Sequence, residues 1–317
     1  MIQNATGTHL DSPSTHVMDF LASLKRQAPM YYKAVAKTHR IHGPLFVELA
    51  EPMLNWAHAL LGDQYLTTLI DGYLAFVSEV NESQIQYEST GRYAHASFVE
   101  VYDQTYDSND FMQLYHWGVY VTTFAWEHHL KLYKFFRDEF LGRLSQSAGG
   151  RLLDLGSGSG IYNLIALHQL PAWQAVAVDI SETSVGLSRA MTRCIGLGER
   201  VSHKIGDALQ FVDPQPFDAG VTCFLLEHLE QPQALLNTLA NCLATRGYAF
   251  ITAAITAAEI DHIYEFKRET EVLTMAEAAG FRVVAVLSAA PEAIPQDRYF
   301  LPRSLGMVLQ KRKGEIW

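Results

Sequence analysis

Residues 152–167 read Leu152-Leu153-Asp154-Leu155-Gly156-Ser157-Gly158-Ser159-Gly160-Ile161-Tyr162-Asn163-Leu164-Ile165-Ala166-Leu167. A short apolar run leads into a turn with glycine at every second position, and a second apolar run follows. The pattern reads strand, tight turn, helix. Glycines let such a turn adopt positive φ and let the backbone approach a ligand closely. The helix behind it presents free N–H groups to a polar or anionic group. The spacing is Asp154-x-Gly156-x-Gly158-x-Gly160, and Ile161 stands where the dinucleotide fingerprint GxGxxG needs its third glycine. A carboxylate at the strand end is unwelcome beside a pyrophosphate and useful beside an ammonium group.

Downstream of this turn, short apolar runs alternate with helical segments. The expected strands are 151–155, 174–179, 201–205, 219–224, 248–253, 281–287 and 305–309. That alternation predicts an α/β fold with a seven-stranded, mostly parallel, Rossmann-like sheet. Three features recur at strand ends. Asp179 closes the second run, 25 residues beyond Asp154, where an acid can accept from both hydroxyls of a ribose, and Ile180 follows it. Asp207 and Ala208 follow the third. The fourth leads through Phe224 into Leu226-Glu227-His228-Leu229, with Pro232 suited to start a helix.

Asp154, Gly156, Gly158, Gly160, Asp179, Asp207 and the Glu227-His228 turn together resemble the motifs of class I, Rossmann-like S-adenosylmethionine-dependent methyltransferases. The resemblance spans 151 to about 311, roughly half of the 317 residues. It implies S-adenosyl-L-methionine as cofactor and S-adenosyl-L-homocysteine as product. Asp154 would then meet the methionine ammonium, Asp179 and Ile180 the ribose, Asp207 and Ala208 the adenine, and Phe224 the methyl-donor end. It also implies that Glu227, His228 and the Asp261-His262-Ile263-Tyr264 segment after strand five face the reacting centre. There His262, Tyr264, Glu227 and His228 are candidate catalytic residues, His262 because imidazole takes a proton near neutrality. Asp261 capping a helix, with His262 merely packed, is the competing reading.

Upstream of Gly149-Gly150 the grammar is different. From 14 to 147 apolar residues recur at three and four positions, the helical period, with helices expected over 44–56, 65–77 and 111–144. The expected division is a helical domain, 1–148, and a cofactor-binding catalytic domain, 149–317. Tyrosine, tryptophan and histidine crowd the stretch from Tyr87 to Tyr133. A stripe of aromatics at helical spacing is usually core, but phenols need partners. Tyr87, Tyr93, Tyr102, Tyr106, Trp117 and Tyr120 are therefore candidate substrate contacts, in a lid that is equally suited to a dimer interface. Aromatic faces favour cations, which inclines the reading toward a nitrogen acceptor, with oxygen, carbon and sulfur kept open.

The formal net charge is −10, which argues against nucleic acid as substrate or partner. A small polar metabolite is expected instead. No apolar run is long enough to span a bilayer and no leader pattern opens the sequence, so a cytoplasmic protein without membrane contact is expected. Three scattered cysteines form no CxxC pair. No tight HxxxH spacing accompanies Glu227, His228, Asp261 and His262, so no metal is expected. The remaining alternatives are an NAD-dependent oxidoreductase, a non-catalytic methyltransferase-like partner, and a protein binding another adenosine-containing ligand.

Overall fold

The computed structural model describes residues 15–102, 109–292, 295 and 297–313. The first helices are α1 (Thr15–Gln27), α2 (Pro29–Leu61), α3 (Tyr65–Thr90) and the short α4 (Phe98–Tyr102). Pro44 breaks the regular path of α2, because its ring excludes the carbonyl one turn back. The break falls at His42, whose φ of −113° and ψ of 23° are not helical.

The run expected over 111–144 is not one helix. It is α5 (Asn109–Ala125), α6 (Glu127–Phe135), a π-helical turn Phe136–Leu141, and a last turn α7 (Gly142–Leu144). Trp126, extended at φ −87° and ψ 127°, separates α5 from α6. Helices α3 and α5 pack tightly because glycines face each other's neighbours. A Cβ on Gly72 would lie 2.8 Å from Trp117 Cβ, and one on Gly118 would lie 2.3 Å from Phe76 Cβ.

The sheet follows: β1 (Gly150–Leu155), α8 (Ile161–Gln169), β2 (Trp173–Asp179), α9 (Glu182–Cys194), β3 (Val201–Ile205), β4 (Phe217–Cys223), α10 (Pro232–Cys242), β5 (Leu243–Ile255), α11 (Glu269–Ala278), β6 (Phe281–Ala289) and β7 (Arg303–Lys311). The strand order is β3-β2-β1-β4-β5-β7-β6. Strands β1 to β5 pair in parallel, and β7 runs antiparallel to both β5 and β6. All seven expected strands are present. β5 begins earlier than expected, and Phe224 lies just beyond β4.

Strand residues alternate between two cores. Leu152, Ala175, Ala219, Val221 and Phe250 join a cluster that also holds Val17, Phe46, Tyr120, Phe136 and Phe140 of the helical half. Leu153, Leu155, Val178, Ala249 and Ile251 face α10 and α11 on the other side. Phe136 lies 4.8 Å from Phe250, ring centre to ring centre, so the helical half shares a core with the sheet. Strand order reverses between β1 and β4, and the crevice at their carboxyl ends is where such sheets bind ligands. Among the described residues no helix is long and apolar enough to cross a membrane.

Candidate active site

A cavity of ≈ 550 Å³ opens at that reversal, within the range of about 300–1,000 Å³ common for ligand sites. Its floor is the glycine turn. Gly156, Gly158 and Gly160 have φ of 68°, 52° and 81°. A Cβ on Gly156 would come within 2.3 Å of Leu225 Cδ2, and one on Gly160 within 2.4 Å of Ser188 Oγ. A Cβ on Gly158 would meet nothing nearer than His116 Cε1 at 3.6 Å, so this glycine faces the open space. Gly156 and Gly158 line the cavity; Gly160 lies behind it as the N-cap of α8.

Two buried carboxyls flank the turn. Asp154 Oδ2 accepts a 2.7 Å hydrogen bond from Asn163 Nδ2. Burial raises the Asp154 carboxyl to about 7; the Asn163 bond opposes this and the Asp179 charge adds to it. Asp179 Oδ2 accepts from the Gly158 N–H at 2.7 Å, and Oδ1 from the Ser181 N–H at 2.9 Å. Burial raises Asp179 also, against the pull of those donors. Phe224 lines the cavity, whereas Ile180, Asp207 and Ala208 lie outside its wall. Ile180 is exposed. Asp207 caps its own turn through Leu209 N–H and Gln210 Nε2. Ala208 packs toward the second core.

Beyond β4, Phe224 is held at φ 51°. Its N–H donates to Thr252 Oγ1 at 2.8 Å, and its ring stands 5.2 Å from that of His129. Positive φ on an aromatic residue persists only where the surroundings enforce it.

The turn after β4 meets the segment after β5. Ile263 and Tyr264 both donate backbone N–H to Glu227 O at 2.9 Å. Glu227 is fully buried and its Oε1 accepts from the Ala254 N–H at 3.1 Å. Its Oε2 has no hydrogen-bond partner among the described residues. His228 Nδ1 faces Asp261 O at 3.2 Å and Asp261 Oδ2 at 3.3 Å. His262 Nδ1 lies 2.8 Å from Ala257 O, and the two imidazoles stand 4.8 Å apart at 86°. Burial opposes a charge on His228, but Asp261 carries its imidazole up to about 10. Burial brings His262 down to about 3, with the His228 charge adding to the effect. Glu227, His228 and His262 thus stand together on the cavity wall.

Tyr264 does not join them; its ring packs on Phe266 at 4.7 Å. Nor do the described aromatic candidates of the helical half, Tyr87, Tyr93, Tyr102, Trp117 and Tyr120, line the cavity. Tyr87 donates to Glu265 Oε1 at 2.6 Å and Tyr93 to Ala257 O at 2.7 Å, in a small core of their own. Trp117 packs on Tyr120, which donates to Met53 O at 2.6 Å. Tyr102 lies on α4 against Phe98. Tyr106 is outside the described residues. Tyr87, Tyr93 and Tyr120 each have a backbone or carboxyl partner, so polarity at helical spacing did not mean access to a ligand.

The helical half instead brings Tyr115, His116, Trp126, His128 and His129 to the cavity. His116 Nε2 lies 2.7 Å from Ser184 Oγ over the glycine turn, and burial lowers its imidazole to about 4. Burial brings His129 down to about 3, against a bond to the Thr122 backbone. Trp126 stacks on His128 at 5.3 Å. The sequence clue to these was the adjacent pair His128-His129 beside Trp126, invisible as a site until Trp126 is seen to interrupt the helix.

A model of the methyltransferase domain family matches residues 126–286, half of the chain. Demethylmenaquinone methyltransferase of Bacteroides fragilis is 29% identical over 108 residues, 33% of this chain and 44% of its own length. Ubiquinone biosynthesis O-methyltransferase of Xanthomonas euvesicatoria is 29% identical over 119 residues, 37% of this chain and 48% of its own length. The chain therefore spans less than half the length of these curated relatives. Two solved structures share the fold at low identity. The pyocyanin biosynthetic protein PhzM gives a TM-score of 0.51 at 18% identity, over 78% of this chain and 73% of that one. Phosphoethanolamine N-methyltransferase 2 of Haemonchus contortus, in complex with S-adenosylhomocysteine, gives 0.54 at 16% identity, over 69% and 61%. The family match takes in the cavity wall from Trp126 through the glycine turn to His262, and the chain belongs to the methyltransferase domain family.

Proposed function

We propose that the protein transfers a methyl group from S-adenosyl-L-methionine to a small polar molecule, with 149–317 binding the donor and 1–148 covering it. The observation that carries this reading is Gly158: it faces open cavity between two buried carboxyls, Asp154 and Asp179. Asp154 would accept from the donor's ammonium and Asp179 from its ribose. Gly206 N–H donates to Asp179 O at 2.9 Å, which ties the end of β3 to that of β2. Ile180, Asp207 and Ala208 would then form the rim under the adenine. The donor, when bound, supplies an electrophilic methyl group for in-line displacement. The chain's own contribution is to align the acceptor, exclude water and take its proton.

The groups facing the acceptor are imidazoles and carboxyls: His128, His129, Glu227, His228 and His262. Of the tyrosines that inclined the reading toward nitrogen, Tyr87, Tyr93 and Tyr120 are packed away from the cavity. Burial holds His129 and His262 as neutral imidazoles, while Asp261 favours the charged form of His228; neutral imidazoles suit an acceptor that arrives carrying a proton. The test is isothermal titration with S-adenosylhomocysteine, with NAD as control. One site for the former and none for NAD is expected. NAD binding alone would return the glycine turn to a dehydrogenase. Free thiols at Cys194, Cys223 and Cys242 fit the reducing cytoplasm proposed as its location.

A further inference from the structure

We propose that Glu227, Glu259 and His262 bind a protonated amino group, which makes the acceptor a small amine. All three side chains line the cavity. Acceptor atoms crowd here without donors to match them. Glu227 is fully buried, yet its Oε2 has no hydrogen-bond partner among the described residues. Such a group costs stability unless something satisfies it. His262 Nδ1 lies 2.8 Å from Ala257 O. A carbonyl only accepts, so the hydrogen sits on Nδ1, and burial keeps the ring neutral. Nε2 is therefore an acceptor, and it faces Glu259 Oε2, another acceptor, at 3.8 Å. The Tyr115 hydroxyl reaches that same oxygen only at 3.4 Å.

The spacing suits one tetrahedral nitrogen. N–H···O bonds of about 2.8–3.0 Å set the acceptors around an ammonium roughly 4–5 Å apart. A carboxylate oxygen of Glu227 and a ring nitrogen of His262 lie within 4.8 Å of each other. A primary ammonium brings three N–H donors and no acceptor, whereas a hydroxyl brings a single donor. The three positions are fixed relative to each other, because Glu227 O accepts from both Ile263 and Tyr264 N–H.

Charge points the same way. Glu227, Glu259 and Asp261 share this corner with one imidazolium, His228, and Asp261 Oδ2 already faces its Nδ1 at 3.3 Å. Burial lifts the Glu227 carboxyl to about 7, and burial with the charges of Asp261 and Glu79 lifts Glu259 well above the usual carboxylate range. A bound cation offsets both effects and draws the two carboxyls back to their ionised forms. The donor's own ammonium is assigned to Asp154, so this cation belongs to a second molecule. That it is the methyl acceptor rests on the methyl-transfer reading; binding of the amine does not.

The experiment is calorimetric titration of the full chain with benzylamine and with benzyl alcohol, its uncharged counterpart, and separately with S-adenosylhomocysteine. The ring matches Phe76, Val80 and Met112, which line the same cavity. Benzylamine should bind about 10-fold or more tightly than benzyl alcohol, and Glu227→Gln and Glu259→Gln should each bring the two affinities close together. Unchanged S-adenosylhomocysteine affinity would show that both variants are folded. Failure of benzylamine to bind, equal affinity for the two probes, or a preference that survives in either variant would overturn the site. Amine binding without S-adenosylhomocysteine binding would leave the site standing and defeat the methyl-transfer reading; the reverse would do the opposite.

Discussion

At the scale of single residues, the proposed donor site rests on Gly158 and Asp154. Valine at 158 must adopt a φ near 52° and extend into the cavity. The strain is about 1–2 kcal/mol, so Gly158→Val should fold while losing S-adenosylhomocysteine by ~100-fold or more. Normal affinity in the folded variant would refute the placement of the turn. Asp154 must be ionised to accept an ammonium, and burial holds its carboxyl near neutrality at about 7. S-adenosylhomocysteine affinity should therefore rise with pH, approaching ~10-fold per unit below about pH 7 and levelling above it. Titrations of Asp154→Asn should show weaker binding without that slope. Asp154 and the glycines were legible because a strand end and a turn leave a fixed spacing in sequence. Tyr87, Tyr93, Trp117 and Tyr120 were not. Spacing shows that residues share a helix face, but what that face meets depends on partners such as Met53 and Glu265, far away in the chain. His262 and Tyr264 illustrate the same limit two residues apart: one lines the cavity, the other packs on Phe266. His262→Ala should lower kcat by about 100-fold, whereas Tyr264→Phe should leave it unchanged, with donor affinity kept in both. Full turnover in His262→Ala would remove that segment from the reaction centre.

The break at Trp126 is the decisive feature among the elements. An uninterrupted helix from 111 to 144 would present its side chains at one continuous pitch. The break lets α5 lay His116 over the glycine turn while α6 sets His129 against Phe224. No proline or glycine marks Trp126, so nothing in the local pattern foretold it. Strands were easier to read, because buried parallel strands are continuous apolar runs between polar turns. Both histidines are held neutral in the fold, His116 near 4 and His129 near 3. The unfolded chain binds protons on them from about pH 6.5 downward, so acid favours unfolding. The stability that these two histidines contribute should be intact above about pH 6.5 and be lost progressively as pH drops toward about 4. Thermal melts across that range should show the native protein losing stability relative to His129→Gln as pH falls. An equal slope in both would mean that His129 is not a buried neutral group.

Across the whole molecule, helical half and sheet are joined by a shared core rather than a linker. Phe136 and Phe140 of the helical half pack on Phe250 of β5. The change of pattern at Gly149-Gly150 correctly marks where strands begin, but it does not separate two cores. Sequence grammar records local period, whereas a core is built from faces that meet only after folding. This joining makes the helical half part of the cavity: its floor comes from the ends of β1 and β2, and its roof from α5 and α6. The most direct measurement of that account is isothermal titration of the full chain with S-adenosylhomocysteine, with NAD as control. A single site for S-adenosylhomocysteine and no heat from NAD is the predicted result; binding of NAD alone, or of neither, would contradict it.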